Sequence, residues 1–179
     1  FEGMAFAQAT YYGIFHSVSA FCNAGFDIIG TQSLAPYKTN VLINATITVL
    51  IILGGLGFTV LGNIVETQKK RKESPLRLKL QFLKLHTKLV LSITAGLLLV
   101  WTALFALIEW NTPATLGPLN TFEKIMAAFF QSVTLRTCGF LTIDQAAFHD
   151  ISQAISTVFM FIGGSPAGTA GGIKTVTLG

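Results

Sequence analysis

Charge is what this sequence has least of. Asp, Glu, Lys and Arg make up 11% of its 179 residues, where a soluble domain carries about a quarter, and hydrophobic residues make up 51%. That balance excludes an ordinary water-soluble domain and fits a protein that lives in lipid. Cysteine is scarce too. Cys22 and Cys138 do not stand in a spaced disulfide or metal-binding framework. No cluster of His, Cys and carboxylate residues forms a transition-metal site. No nucleophile–base pair suggests an intramembrane enzyme. The chain starts at Phe1 inside one apolar run and stops at Gly179 inside another, so it is expected to be an internal part of a longer protein.

What charge there is falls in one place. Eight of the twelve basic residues lie between Lys69 and Lys88. Such a run can bind nucleic acid, but between two apolar segments of bilayer length it reads as a cytoplasmic loop under the positive-inside rule. Residues 41–65 are uncharged and reach about 37 Å as a helix, enough to cross about 30 Å of hydrocarbon. Their Gly54-Gly55-Leu56-Gly57 cluster allows close helix approach, and simple small-residue packing is the favoured reading. Residues 89–110 form a second span, with Trp110 at its end as an interfacial anchor. A third apolar segment starts at Ile151 and is interrupted at 163–172 by Gly-Gly-Ser-Pro-Ala-Gly-Thr-Ala-Gly-Gly, which cannot continue a helix. Broken backbone at membrane depth is tolerated only where it is buried in protein or lines a wet cavity, and interrupted spans point to transport sites.

Two stretches repeat one pattern: residues 15–26 (FHSVSAFCNAGF) and 130–140 (FQSVTLRTCGF). Each is a short helix-like run that passes through small and polar residues to a single Gly-Phe. A short helix followed by a glycine-bearing loop is what a re-entrant pore loop needs. Placing the basic run inside makes both loops enter from outside. A potassium ion must shed water in a narrow filter, and backbone carbonyls can replace that water. Gly25 and Gly139 permit the dihedrals that turn carbonyls inward; Asn23, Ala24, Thr137 and Cys138 are expected to present neighbouring carbonyls. The second loop is one residue shorter between its Ser-Val and its Gly-Phe, which leaves the register open by one.

Residues 15–26, 130–144 and 160–177 resemble the membrane subunit of the Trk/Ktr potassium uptake family, nearest to its Ktr type (KtrB-like). The resemblance covers essentially the whole chain. It implies an all-α integral membrane protein in which four non-identical span–pore loop–span repeats surround one pore. Here residues 1–68 are the second-repeat pore loop and following transmembrane helix, 69–88 the basic cytoplasmic loop, and 89–179 a truncated third repeat. Each family filter has one central glycine, matching Gly25 and Gly139. Cys22 and Cys138 stand where the family more often carries Asn and Ala. The interrupted segment matches the family's intramembrane gate: Gly163, Gly164, Ser165, Gly168, Thr169, Gly171, Gly172, Lys174 and Thr175. Its small residues allow motion, and its hydroxyls can face water. The resemblance implies potassium as the transported ion, with sodium a candidate coupling or activating ion. It also implies a homodimer of the full-length subunit in a bacterial cell membrane, working with a cytosolic nucleotide-binding regulatory subunit and not with nucleic acid. The alternatives are another monovalent-cation pore-loop channel and a non-transporting membrane scaffold.

Other residues carry plainer expectations. Gly168–Thr175 does not make a phosphate loop, because Ile173 separates Gly172 from Lys174. Lys174 either lines the gate or snorkels to the cytoplasmic face. Arg136 is expected to brace the second loop through Glu123 or Asp144, and His16 to pack within the first pore helix. Asn44 and Asn63 are expected to make interhelical hydrogen bonds, and Thr121 with Glu123 to cap the second pore helix. Asp27 and Asp144 either concentrate cations at the outer mouth or are solvated loop acids.

Overall fold

A computed structural model describes residues 4–30, 32–71, 83–174 and 177. Five α-helices follow one another: α1 (Phe6–Phe21), α2 (Val41–Arg71), α3 (Leu85–Glu109), α4 (Thr121–Thr134) and α5 (Asp150–Met160). Short 3-10 turns lie at Ala35–Tyr37 and Gln145–Ala147. Among the described residues there is no strand, only an isolated bridge between Ile162 and Ile173.

Length separates the helices into two kinds. α2 and α3 are long and apolar enough to cross a membrane; their 31 and 25 residues reach about 46 and 37 Å against a hydrocarbon core of about 30 Å. α1 and α4, with 16 and 14 residues, reach only about 24 and 21 Å. They are the two short helices expected before the pore loops. α2 runs on through Lys69, Lys70 and Arg71, and α3 begins at Leu85, so the basic stretch is helical at both ends. Lys72, Arg77 and Lys79 lie outside the described residues, as does Thr175.

Local chemistry explains the boundaries, with two corrections to the sequence reading. The cap of α4 is Asn120, not Thr121: the Asn120 N–H donates to the Glu123 carboxylate at 2.9 Å, one arm of a capping box. Asn44 does not reach another helix. Its Nδ2 donates back to the Tyr37, Lys38 and Asn40 carbonyls at 2.8, 3.3 and 2.7 Å, closing the turn that precedes α2. Asn63 does link two helices, because its Oδ1 accepts the Lys84 N–H at 3.1 Å where α3 begins.

The core lies in layers between the short and long helices. Ala20 of α1, Ile47 and Ile51 of α2, Leu98 of α3 and Phe130 and Val133 of α4 meet around Phe140. Trp101 is buried inside the protein, with ring centroids 5.9 Å from Phe105 and 5.0 Å from Phe159. Trp110 ends α3 under Lys124, whose Nζ lies 4.9 Å from the ring centroid and donates to the Trp110 carbonyl at 2.7 Å. Glu109 is fully buried. Its carboxylate accepts from Thr115 Oγ1 at 2.8 Å and from the His149 N–H at 2.9 Å, so the end of α3 holds the start of α5. Leu42, Phe58 and Leu107 stay exposed, as lipid-facing or partner-facing positions should.

Candidate functional site

Each short helix ends at one of the two glycine-bearing loops, so its negative C-terminal end faces that loop. In the first loop Asn23 and Gly25 have φ of +52° and +66°; in the second Thr137 and Gly139 have φ of +69° and +104°. Left-handed residues at alternate positions turn successive carbonyls toward a common side, which is the backbone form a carbonyl filter requires. The shared pattern resolves the register that the sequence leaves open: Asn23 aligns with Thr137, Ala24 with Cys138, and Gly25 with Gly139.

A second correspondence locates the length difference. Ser19 Oγ donates to the Phe26 carbonyl at 2.8 Å, and Thr134 Oγ1 donates to the Phe140 carbonyl at 2.7 Å. In each repeat a hydroxyl from the last helical turn holds the Gly-Phe. Between hydroxyl and first left-handed residue the first loop has Ala20, Phe21 and Cys22, and the second has Leu135 and Arg136. The extra residue therefore sits in the helix end, and the filter-like segments are equal. Sequence inspection passed over Ser19 and Thr134, although a small hydroxyl in the last turn of each short helix was the available signal.

The two loops touch. A Cβ on Gly25 would collide with the Cys138 carbonyl oxygen, so side-chain space as well as φ demands glycine there. Beyond the loops, the Leu34 N–H donates to the Leu141 carbonyl at 2.9 Å, and the Leu141 N–H to Ser33 Oγ at 3.3 Å. Cys138 is buried and Cys22 exposed. His16 is buried between repeats: its Nδ1 lies 2.6 Å from the Tyr12 carbonyl, and its ring centroid is 6.1 Å from that of Phe140. Asp144 accepts from the Ala146 N–H at 2.9 Å and is exposed.

The glycine-rich segment is non-helical, as its composition predicts, and it is seated on both loops. Asn23 Nδ2 donates to Thr169 Oγ1 at 2.7 Å, and Thr169 Oγ1 to the Phe21 carbonyl at 2.9 Å. The Gly171 N–H donates to Thr137 Oγ1 at 2.8 Å. Asn23 and Thr137, equivalent in register, thus both turn their side chains to this segment. Ser165 is buried with its hydroxyl on the Pro166 carbonyl at 3.0 Å. The expectation that these hydroxyls face water is therefore wrong for Ser165, and Thr169 spends its hydroxyl on the first loop. Lys174 neither lines the segment freely nor extends away: its Nζ closes back on the Ala170 carbonyl at 2.7 Å.

The seat of this segment includes the Gly54–Gly57 cluster, which does more than allow helix packing. Gly57 has φ +76° and breaks α2. A break frees carbonyls in the preceding turn, and those of Gly54 and Gly55 accept from Thr169 and Ser165 N–H groups at 3.0 and 2.9 Å. A Cβ on Gly57 would lie 2.6 Å from backbone atoms of Ala167 and Gly168. Arg136 also departs from expectation. It does not reach Glu123 or Asp144; its Nη2 donates to the Gly163 carbonyl at 2.9 Å.

Comparison with known proteins follows the same lines. Residues 3–178 match the family model described as TrkH, cation transport protein. The chain is 40% identical over 174 residues to Ktr system potassium uptake protein B of Vibrio alginolyticus, covering 97% of this chain and 36% of the relative. It is 40% identical over 173 residues to potassium/sodium uptake protein NtpJ of Enterococcus hirae, again 97% of this chain and 36% of the relative. The chain thus spans little more than a third of these relatives. The crystal structure of the potassium transporter TrkH from Vibrio parahaemolyticus superposes with a TM-score of 0.72 at 21% identity, over 98% of this chain and 34% of that one; it is a likeness of fold.

Proposed function

Since this chain belongs to the TrkH family of cation transport proteins, a family of transporters and not of enzymes, we propose that it forms part of a potassium uptake pathway. The two pore loops supply part of a carbonyl-lined filter, with Asn23, Ala24 and Gly25 in one wall and Thr137, Cys138 and Gly139 in the other. The segment Gly163–Lys174 gates the exit below. The observation that carries this reading is the shared alternation of left-handed residues at 23 and 25 and at 137 and 139. It recurs at the C-terminal ends of two short helices, over one glycine-rich loop seated on both.

The protein is a multi-pass component of a bacterial cell membrane, with the basic stretch on the cytoplasmic side and both loops entering from outside. The division at residues 1–68, 69–88 and 89–179 marks repeat, connection and repeat. Relatives named as parts of a Ktr system support further components, which we take to be a second copy of the full-length subunit and a cytosolic nucleotide-binding regulator. The name potassium/sodium uptake protein of one relative favours sodium as a coupling or activating ion.

The test is potassium uptake by the full-length parent in potassium-uptake-deficient cells, with sodium as competitor. Gly139→Ser is the informative variant, because nothing lies within 4 Å of a Cβ at that position and the change acts on the backbone dihedral. We expect altered potassium affinity or a lowered potassium-over-sodium preference. Uptake with wild-type affinity and selectivity would return the loops to a packing role in a scaffold.

A further inference from the structure

Arg136 and Thr137 are adjacent at the start of the second loop, and they hold opposite ends of the glycine-rich segment. Arg136 Nη2 donates to the Gly163 carbonyl at 2.9 Å, while Thr137 Oγ1 accepts the Gly171 N–H at 2.8 Å. Those two ends are themselves drawn together. The Gly163 N–H donates to the Ile173 carbonyl at 3.0 Å, and the Ile173 N–H to the Phe161 carbonyl at 2.8 Å. A Cβ on Gly163 would collide with the Gly171 carbonyl oxygen. The segment is therefore a loop with a closed neck, and one dipeptide grips that neck from both sides.

The chemistry of the grip is uneven. The threonine contact is one neutral hydrogen bond. The arginine contact is charge-assisted, which makes it the stronger of the two. The carboxylates weighed as partners for Arg136 are engaged elsewhere, Glu123 with the Asn120 N–H and Asp144 with the Ala146 N–H. Nε of Arg136 is buried and has no hydrogen-bond partner among the described residues. An ionised side chain within a membrane protein, answered by a single loop carbonyl, is a functional-site hypothesis by default.

We propose that Arg136 and Thr137 form a clasp on the neck of the Gly163–Gly172 loop, and that Arg136 is the positioning residue that sets how much of the time the loop is seated. This rests on reading the loop as a gate. The clasp acts on the gate and not on ion choice, so loss of the guanidinium releases the loop while the alternating backbone of the filter remains.

The experiment uses the full-length parent with Cys22→Ser and a reporter thiol at Ala167→Cys. Ala167 is exposed at φ +64°, so cysteine adds no backbone strain that alanine lacks. The rate at which a membrane-impermeant methanethiosulfonate modifies this thiol from the cytoplasmic side is measured with Arg, Lys or Gln at position 136. We expect the rate to rise several-fold in Arg136→Gln and to lie between the two in Arg136→Lys, which keeps the charge but not the planar fork. Potassium-over-sodium preference should stay at the parent value. An unchanged rate in Arg136→Gln overturns the clasp, as does lost selectivity at an unchanged rate, which would make Arg136 a brace for the pore loop. Should Arg136→Gln fail to reach the membrane, equal rates in Arg136→Lys and the parent overturn it instead. A rate increase in a protein that carries no potassium at all would leave the clasp standing and remove the transport reading.

Discussion

At Gly25 an added methyl group would meet the Cys138 carbonyl oxygen, whereas at Gly139 nothing lies within 4 Å. Both residues have positive φ, and for a residue with a Cβ that conformation costs about 1–2 kcal/mol. Only Gly25 adds a collision between the two loops. We therefore expect Gly25→Ala to lower the yield and thermal stability of the full-length parent more than Gly139→Ala does. Thermal unfolding of the purified variants in detergent checks this; equal losses would mean that the loops do not pack as described. The two glycines were legible in the sequence because a single Gly-Phe recurs in each pore stretch. What differs between them was not, because it depends on which backbone faces each Cα. Arg136 failed for a related reason. Sequence reasoning looked for an acidic partner, but the partner is a backbone carbonyl, which every residue possesses and no pattern marks.

Among the elements, α2 departs most from its sequence pattern. Hydrophobicity and length predict one continuous span, and the helix breaks at Gly57 because the glycine-rich loop lies against it. Gly62, five residues on in the same helix, has no atom within 4 Å of a Cβ. The two positions therefore predict opposite outcomes for one substitution. Gly62→Ala should stabilise by up to about 1 kcal/mol by limiting the unfolded chain. Gly57→Ala should destabilise by more than that, through both φ +76° and contact with Ala167 and Gly168. Melting temperatures of the two full-length variants, read side by side, settle the matter: a stable Gly57→Ala would show that the break is not held by the loop. The existence and type of every helix could be read from apolar runs and breakers. The break in α2 could not, because a glycine cluster in an apolar helix looks the same whether a helix or a loop approaches it.

For the molecule as a whole, the loop's seat can be weighed. Six hydrogen bonds hold it: two to the Gly54 and Gly55 carbonyls, and one each to Phe21, Asn23, Arg136 and Thr137. At about 0.5–1.5 kcal/mol each, these make about 3–9 kcal/mol. On the proposed reading of the loop as a gate, whatever unseats it would have to favour the open form by a comparable amount. The chain also spans only 36% of the length of its relatives, and large apolar side chains such as Ile14, Val18 and Phe26 stand exposed beside the first loop. On the proposed reading as part of a four-repeat pore, the two loops would supply two of four filter walls. We expect the 179-residue chain reconstituted alone in liposomes to carry no potassium flux; rubidium uptake above that of empty vesicles would show that two walls suffice.

The same seat has a consequence for how the protein is made. Thr169 bonds with partners 146 and 148 residues earlier in the chain, and Gly171 and Arg136 add links across 34 and 27 residues. Closing such distances is the slow part of folding, because the entropy of bringing remote segments together is lost before their contacts form. The loop is also the last of these partners to leave the ribosome. Phe21, Asn23, Gly54 and Gly55 can therefore form these bonds only once the glycine-rich segment has been made. Within this stretch, the contact that ties both glycine-bearing loops to α2 closes only after all five α-helices have been made.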